Sequence, residues 1–358
     1  MKSFDELTQL GAIRRFRQLA KEALALYGLN DSRVEFLAMA GNILFRVYEL
    51  QPNLVKNEDS PFKSGQYLLR IHDSGEQKTN AILLEMEWLR SIRRDTGLPV
   101  PEPIQALDGR LLVSVSAPGI PETRDCTILR WLRGRRIKSH IRPHHYRLQG
   151  RAMAQLHNHA AKWSRLNNID KRRFDYDGLF NDDAGAGIPN REAWALLPDS
   201  HRQAYEIIAR RVRLVTDDWG KNSDIYGLIH GDCGIDANVL FWKGTAQIID
   251  FDGSGYGYYL YDLALALEHC WDEPGYPQYQ RALLDGYTEI RTLPAEHLPY
   301  IDLFRAAFYV YMGLWTVAMD QAFPDSSNKL NRHRKWLGYG MKFIERYLNR
   351  IGGTENSL

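Results

Sequence analysis

Three oxygen-bearing side chains within residues 228–255 have the types and spacing that phosphoryl transfer requires. Asp232 and Asp250 each follow a short apolar run that predicts a buried strand, and Asn238 lies between them. Loops at the ends of buried strands are held rigidly yet reach solvent, so polar groups there can meet a ligand. Phosphoryl transfer needs a carboxylate to orient the nucleophilic hydroxyl and oxygen ligands to hold Mg²⁺ on the phosphates. These three residues supply such groups.

Four motifs follow one another in this part of the chain. They are His230-Gly231-Asp232, Asn238 before an apolar strand, Ile249-Asp250-Phe251-Asp252 and Tyr261-Asp262-Leu263-Ala264. In them the chain resembles the aminoglycoside phosphotransferase / choline kinase family, which has a protein-kinase-like fold. A single loop Asp is most often a turn-forming or capping residue, and only the ordered set favours a catalytic interpretation.

The resemblance implies ATP and Mg²⁺ as cofactors, Asp232 as the catalytic residue and Asn238 and Asp250 as metal ligands. The family usually places the Asn five residues after the Asp, whereas here it follows after six. We therefore expect the catalytic loop to bulge by one residue.

The fold class predicted on this basis is α+β, with the two lobes of a protein kinase. A small antiparallel β-rich N-lobe precedes a larger, mainly helical C-lobe. The expected boundaries are a helical extension over 1–33, a nucleotide-covering N-lobe over 34–131 and a C-lobe over 132–358. Apolar spacing predicts helices over 4–29, 80–94, 143–162, 201–219 and 263–269, and strands within 34–50, 66–72 and 126–132.

Two positions in the N-lobe are candidates for binding the phosphates of ATP. Gly41-Asn42 lies between two predicted strands, where a Gly lets backbone N–H groups approach a phosphate; an ordinary hairpin turn is the alternative. Arg70 stands on the third strand, where kinase-like folds place a Lys. Arg can bind a phosphate or a carboxylate with two parallel hydrogen bonds.

Glu85 is the expected partner of Arg70. It lies on the apolar face of the predicted helix 80–94, and an unpaired buried charge is costly. A solvated Glu85 is the alternative. The resemblance also places the interlobe hinge at the strand 126–132, where Trp131 and Leu132 would flank the adenine base.

The acceptor site is less defined by the sequence. The last hundred residues are rich in aromatic residues, which can hold a quaternary ammonium group but at helical spacing more often form a core. Acids that could attract an amine-bearing substrate are Glu268, Asp272, Glu273 and Asp320. We expect Asp262 to cap the following helix or to tie down the catalytic loop. The Gly/Asp-rich loop 176–189 has no assigned role.

Charge and cysteine content exclude several classes of protein. The 46 basic residues nearly balance the 44 acidic ones, which argues against a dedicated nucleic-acid binder. The three Cys residues are widely spaced and odd in number, which fits a reducing compartment rather than a disulfide framework. No signal peptide or stretch of ~18 apolar residues is visible. We expect a cytoplasmic protein with no membrane partner, and the sequence does not indicate an oligomeric state.

These observations predict an ATP- and Mg²⁺-dependent kinase that phosphorylates a hydroxyl of a small molecule. They leave open whether that acceptor carries an amine, as an aminoglycoside, a choline-like amine or a homoserine-like amino acid does, or is a sugar. Two alternatives remain at this stage. One alternative is a bacterial protein Ser/Thr kinase of the same fold, because some bacterial members of this group that resemble the chain phosphorylate protein. A catalytically impaired, nucleotide-binding scaffold is the other alternative.

Overall fold

The computed structural model describes residues 4, 6–52, 57–74, 78–163, 171–322 and 327–355. These fall into two units. Unit 1 contains the described residues within 1–135 and 240–252, and unit 2 contains those within 136–166, 171–239 and 253–358.

Unit 1 is built on an antiparallel sheet with the strand order β1-β2-β3-β5-β4. Its elements, numbered in chain order, are α1 (Gln9–Leu26), β1 (Ser32–Ala40), β2 (Asn42–Glu49), β3 (Phe62–Ile71), α2 (Thr79–Thr96), β4 (Val113–Val115) and β5 (Arg124–Leu132). The hairpin of β8 (Val239–Trp242) and β9 (Thr245–Ile248) also belongs to unit 1, apart from the first residue of β8.

The two faces of this sheet differ in chemistry because side chains alternate along each strand. Ile43, Phe45 and Val47 of β2 are buried and pack with α1 residues such as Leu19 in one apolar core. The intervening residues face the other way. There Leu44 of β2 is paired with Arg70 of β3, so the sheet directs Arg70 away from the apolar core.

Unit 2 is mainly helical. Its elements are α3 (Pro143–Lys162), β6 (Arg173–Phe174), α4 (Tyr176–Phe180), α5 (Asn190–Leu196), α6 (Asp199–Trp219), β7 (Tyr226–Ile229), β10 (Gly255–Tyr258), α7 (Tyr259–Leu265), α8 (Tyr276–Thr288), α9 (Ile301–Ala322) and α10 (Ser327–Glu355). A small sheet with the order β6-β10-β7 leads into the catalytic loop.

Helices α3 and α8 of unit 2 touch backbone to backbone. A Cβ atom at Gly150 would collide with the carbonyl oxygen of Leu283, and one at Gly286 would collide with that of Arg147. Glycine at both positions is therefore what lets the two helices approach so closely.

Several boundaries differ from the predicted ones. The region 176–189, expected to be a loop, contains α4 and a short 3₁₀ helix (Asp182–Ala184). The helix expected over 263–269 begins at Tyr259 and ends at Leu265, with a separate 3₁₀ turn over Glu268–Cys270. Within the residues that the structure describes, none of the helices combines the length and apolar character needed to cross a bilayer.

Candidate active site

The predicted ion pair between Arg70 and Glu85 is present in unit 1. Arg70 Nη1 donates to Glu85 Oε1 at 2.8 Å, and their side chains are only 2% and 1% exposed. Burial works against the charge of Arg70, but the carboxylates of Glu85, Asp252 and Asp250 outweigh it and raise the pKa of the guanidinium. Arg70 is thus a permanently charged group on the face of the sheet opposite the α1 core.

Asp250 follows β9 in the same unit and faces Arg70. Its Oδ1 lies 3.6 Å from Arg70 Nη2, and its side chain is 45% exposed. The backbone of Asp250 has φ +69°, a left-handed conformation that is uncommon outside Gly and is tolerated best by Asn and Asp. Next to it, Phe251 packs edge-on against Trp88 of α2 at 5.6 Å between ring centroids. This aromatic contact fixes the segment that presents Asp250.

Gly41 and Asn42 form the turn between β1 and β2, as predicted. Gly41 has φ +73°, and Ala40 pairs directly with Asn42. The Asn42 side chain donates to Asp252 Oδ2 at 3.1 Å and accepts from the backbone N–H of Asp73 at 3.2 Å. It therefore ties the turn to the Asp250-Phe251-Asp252 segment.

Trp131 and Leu132 end β5, the strand at which the interlobe hinge was predicted. Leu132 is buried. The guanidinium of Arg46 stacks over the Trp131 ring at 4.1 Å from its centroid and also donates to Gln66 Oε1 at 2.6 Å. No contact tests whether these residues flank a nucleotide, so that role stays a prediction.

The catalytic loop of unit 2 brings Asp232 and Asn238 together. Asn238 Nδ2 donates to the backbone carbonyl of Asp232 at 2.8 Å and to its carboxylate Oδ2 at 3.0 Å. Gly231 before them has φ +77°, and a Cβ atom there would lie 2.5 Å from the Phe174 ring. Glycine is thus required at the point where β7 turns into the loop.

Asp262 holds this loop from α7. Its carboxylate accepts the backbone N–H of His230 at 3.1 Å and that of Gly231 at 2.9 Å. Of the two expected roles of Asp262, tying down the loop is confirmed. Capping is wrong, because α7 starts at Tyr259 and places Asp262 inside its first turn.

Glu268 is one of the acids considered for an amine, and it differs from Asp272 and Glu273, which are exposed. Its Oε2 is buried without a hydrogen-bond partner among the described residues, and its side chain is 15% exposed. Burial, followed by the charges of Asp232 and Asp236, raises the pKa of Glu268 to about 8, against a smaller opposing effect of Arg305. The sequence signal was a lone acid after the apolar run Leu263–Leu267, which looked weak beside the other scattered acids.

His157 makes hydrogen bonds with both ring nitrogens in the interior of unit 2. It is fully buried on α3, where Nε2 contacts Asp262 Oδ2 at 2.9 Å and Nδ1 contacts the Tyr287 hydroxyl at 2.9 Å. Tyr287 on α8 had no motif that could have identified it. Only the tertiary packing of α3 on α8 reveals the contact.

Comparison with known proteins shows the family of this chain. The model of the phosphotransferase enzyme family matches residues 40–300. The chain belongs to this family. Amicoumacin kinase of Bacillus subtilis (strain 168) is 25% identical over 314 residues, which cover 83% of this chain and 84% of that protein.

Solved structures show the same fold. A microcompartment-associated aminopropanol kinase superposes with a TM-score of 0.70 at 22% identity, covering 92% of this chain and 97% of the other. The amicoumacin kinase hAmiN, in complex with AMP-PNP, Ca²⁺ and Ami, gives 0.68 at 18% identity, covering 94% and 96%. The predicted family and the α+β, protein-kinase-like fold class are confirmed, as is the prediction of an ATP-dependent phosphotransferase with a hydroxyl acceptor.

Proposed function

We propose that this phosphotransferase transfers the γ-phosphate of ATP to the hydroxyl of a small molecule that also carries an amine. The observation that supports an amine on the acceptor is the buried carboxyl group of Glu268. One of its oxygens has no hydrogen-bond partner among the described residues. A buried acceptor of this kind costs free energy until a donor satisfies it. An ammonium group supplies both the donor and the opposite charge.

The surroundings of Glu268 support a cationic ligand. Asp232 and Asp236 both act on its pKa, so several negative charges meet in this part of unit 2. His269 lies between two of the acids, with Nε2 3.8 Å from Asp236 Oδ1 and Nδ1 3.9 Å from Glu268 Oε1. Neither ring nitrogen of His269 makes a hydrogen bond within the described residues. An acceptor with an amine and further polar groups would satisfy these atoms.

The chemical step assigned to Asp232 is proton acceptance. The acceptor hydroxyl oxygen forms a bond to the γ-phosphorus while the bond to the β–γ bridging oxygen breaks, and the hydroxyl proton passes to the Asp232 carboxylate. ADP leaves with the bridging oxygen. The hydrogen bond from Asn238 holds the carboxylate oriented for that transfer.

The residues proposed to hold Mg²⁺ are Asn238 and Asp250, and their chemistry fits a hard cation. The Asn238 amide nitrogen is used in its two bonds to Asp232, which leaves the amide oxygen as the atom that can ligate a metal. Asp250 supplies a half-exposed carboxylate, and such oxygens are the ligands that Mg²⁺ prefers. The bound cation would neutralise charge on the phosphates.

For the nucleotide we propose the roles expected from the sequence. Arg70, held by Glu85, would position the α- and β-phosphates, and Gly41 and Asn42 would cover them. Trp131 and Leu132 would flank the base. The solved amicoumacin kinase contains AMP-PNP and Ca²⁺, which supports nucleotide and divalent-cation use here. The cytoplasmic location stays a prediction.

The name of one relative also supports an acceptor that carries an amine. One solved relative is named for aminopropanol, an amino alcohol. The sharpest test therefore compares amino alcohols with diols of the same size, for example 1-amino-2-propanol with 1,2-propanediol, by following ADP release with Mg²⁺ and ATP. We expect turnover of the amino alcohol and at least tenfold lower kcat/KM for the diol.

Two variants separate the chemistry from recognition of the amine. Asp232→Asn should reduce kcat by about a thousandfold or more, and Glu268→Gln should raise KM for the amino alcohol without a matching change for ATP. Glu273→Gln, at an exposed acid on the same segment, is the control. Full turnover by Asp232→Asn would refute the catalytic role of Asp232. Equal KM values for the amino alcohol and the diol in the wild type would refute the proposal that the acceptor carries an amine.

A further inference from the structure

A chain of buried hydrogen bonds runs from α8 to the catalytic loop of unit 2. The Tyr287 hydroxyl contacts His157 Nδ1 at 2.9 Å, and His157 Nε2 contacts Asp262 Oδ2 at 2.9 Å. Asp262 in turn accepts the backbone N–H groups of His230 and Gly231. The side chains of Tyr287, His157 and Asp262 are all fully buried. The last link lies directly before Asp232 in the sequence.

The donor and acceptor roles in this chain can be assigned. Burial lowers the pKa of His157, and a neutral imidazole has one donor and one acceptor nitrogen. Burial alone would raise the pKa of Asp262, but the hydrogen bond from His157 and the charges and N–H groups around it leave that pKa below its ordinary value. An ionised carboxylate only accepts, so His157 Nε2 must carry the proton and Nδ1 the lone pair.

The Tyr287 hydroxyl must then donate to His157 Nδ1. The charged group beside it is Arg291, and a guanidinium cannot accept a proton, so the imidazole is the acceptor that this hydroxyl meets. Without the hydroxyl, Nδ1 would be a buried acceptor with no partner, and the imidazole could turn or change tautomer. Either change would break the bond to Asp262.

The packing of the helices holds the donor in place. Gly150 and Gly286 bring α3 and α8 into backbone contact, which sets Tyr287 against His157. The ring of Tyr259 stacks on the imidazole from α7, with 4.5 Å between ring centroids and 22° between planes. The imidazole is therefore confined on its face by Tyr259 and at its Nδ1 edge by Tyr287.

We propose that Tyr287 and His157 are positioning residues for the reaction: the Tyr287 hydroxyl fixes the tautomer of His157, and that tautomer holds Asp262 on the backbone of the catalytic loop. This inference rests on the role proposed above for Asp232. It adds two residues that do not meet the substrate. Their effect on catalysis passes through the orientation of the loop that carries Asp232.

The tautomer itself can be measured without any activity. Selective ¹⁵N-histidine labelling and NMR distinguish a protonated from an unprotonated ring nitrogen, and the His157→Gln variant assigns the signal. We expect a single neutral Nε2–H tautomer for His157 in the wild type, and loss of that single state in Tyr287→Phe. A neutral Nδ1–H tautomer, or a doubly protonated ring, would overturn the inference whatever the enzyme phosphorylates.

Kinetics provide a matched pair of Tyr variants. Tyr287→Phe should lower kcat about tenfold with KM for ATP unchanged, since the substrate contacts are untouched. Tyr259→Phe is the control, because its ring keeps the stack on His157 while its hydroxyl only reaches the Ser223 carbonyl at 3.4 Å. Equal kcat values in the two variants would show that the Tyr287 hydroxyl has no positioning role.

Two substitutions of His157 test whether its Nε2 atom donates the hydrogen bond to Asp262. The amide nitrogen of Gln can replace the Nε2 donor toward Asp262, whereas the shorter Asn reaches only the Nδ1 position. We expect His157→Gln to retain several times more kcat than His157→Asn at similar melting temperatures. Equal losses would indicate packing alone. All these variants keep Asp232. A negative result would therefore refute the positioning role of Tyr287 and His157 only, and the role of Asp232 is tested separately by Asp232→Asn.

Discussion

The amide of Asn238 donates a hydrogen bond of 3.0 Å to the carboxylate of Asp232, although Asn238 lies six positions after Asp232 instead of the usual five. The loop between them turns after Gly234, whose carbonyl accepts the N–H groups of Ala237 at 3.2 Å and of Asn238 at 2.8 Å. The longer spacing thus leaves the two side chains in contact, and the bulge expected from it stays a prediction. Asn238 also bonds the Asp232 carbonyl, so it fixes both ends of that residue.

Replacement of Asn238 tests the value of this contact. Asn238→Ala removes both bonds to Asp232, and we expect kcat to fall about a hundredfold and the free energy of unfolding by about 1–2 kcal/mol. Initial rates and urea unfolding measure the two effects. Asn222→Ala is the control, because its side chain only caps an exposed turn at Asp224. Wild-type kcat in Asn238→Ala would contradict the assignment.

The fold class was predicted from the resemblance that four ordered motifs carry, whereas several local elements and contacts were predicted from short-range patterns. Alternation located the first strands, and an acid on an apolar helix face predicted the pair of Glu85 with Arg70. A Gly between strands predicted the turn at Gly41. These inferences needed only neighbours in the chain and the cost of burying an unpaired charge.

Other features depend on long-range packing and could not be read from the sequence. The bond between His157 and Tyr287 joins residues 130 positions apart, and it exists because two glycines let α3 and α8 touch. Glu268 became distinct from Asp272 and Glu273 only through its burial. Sequence patterns report which residues are polar, but not which polar atoms the fold leaves without a partner.

The buried pair of Arg70 and Glu85 should control both stability and turnover. Arg70→Met removes the guanidinium that pairs with a carboxylate only 1% exposed, and we expect a loss of about 3–5 kcal/mol in the free energy of unfolding. The double variant Arg70→Met/Glu85→Leu should recover most of that stability but no activity, since the charge proposed to position the phosphates is still missing. Chemical denaturation and ATP-dependent rates separate these outcomes.

A surface pair provides the control for that experiment. Arg94 and Asp95 are 70% and 39% exposed, so Arg94→Met should change the free energy of unfolding by no more than about 0.5 kcal/mol. If the double variant were as active as the wild type, Arg70 would have no role in catalysis.

The left-handed backbone of Asp250 predicts opposite effects on stability and activity. Asp250→Gly relieves a conformation that costs an L-residue about 1 kcal/mol, so the melting temperature should hold or rise. The same change removes a proposed Mg²⁺ ligand, so phosphorylation should be lost, as should the thermal stabilisation by Mg²⁺ with ATP. Lys243→Gly is the control, since Lys243 also has positive φ, +45°, in the preceding hairpin. Retained stabilisation by Mg²⁺ and ATP in Asp250→Gly would exclude Asp250 as a ligand.

The raised pKa of Glu268 predicts how stability depends on pH. The pKa is about 8 in the folded protein and near 4.5 in the unfolded chain. Between these values the folded state keeps a proton that the unfolded state has released, so the free energy of unfolding decreases as the pH rises through this window. Glu268→Gln removes that dependence and should be more stable than the wild type at pH 8–9 by roughly 2–4 kcal/mol, with little difference near pH 4.5.

The same proton opposes binding of a cation. Below pH 8 an ammonium ligand must displace it, so KM for an amino alcohol should fall as the pH rises from 6 to 8 in the wild type and stay flat in Glu268→Gln. Urea unfolding and initial rates over this range measure both effects, with exposed Glu273→Gln as the matched control. If the free energy of unfolding and KM depended on pH in the same way in the wild type and in Glu268→Gln, Glu268 would already be ionised at pH 6. Its pKa would then not be raised, which would contradict the role proposed for it.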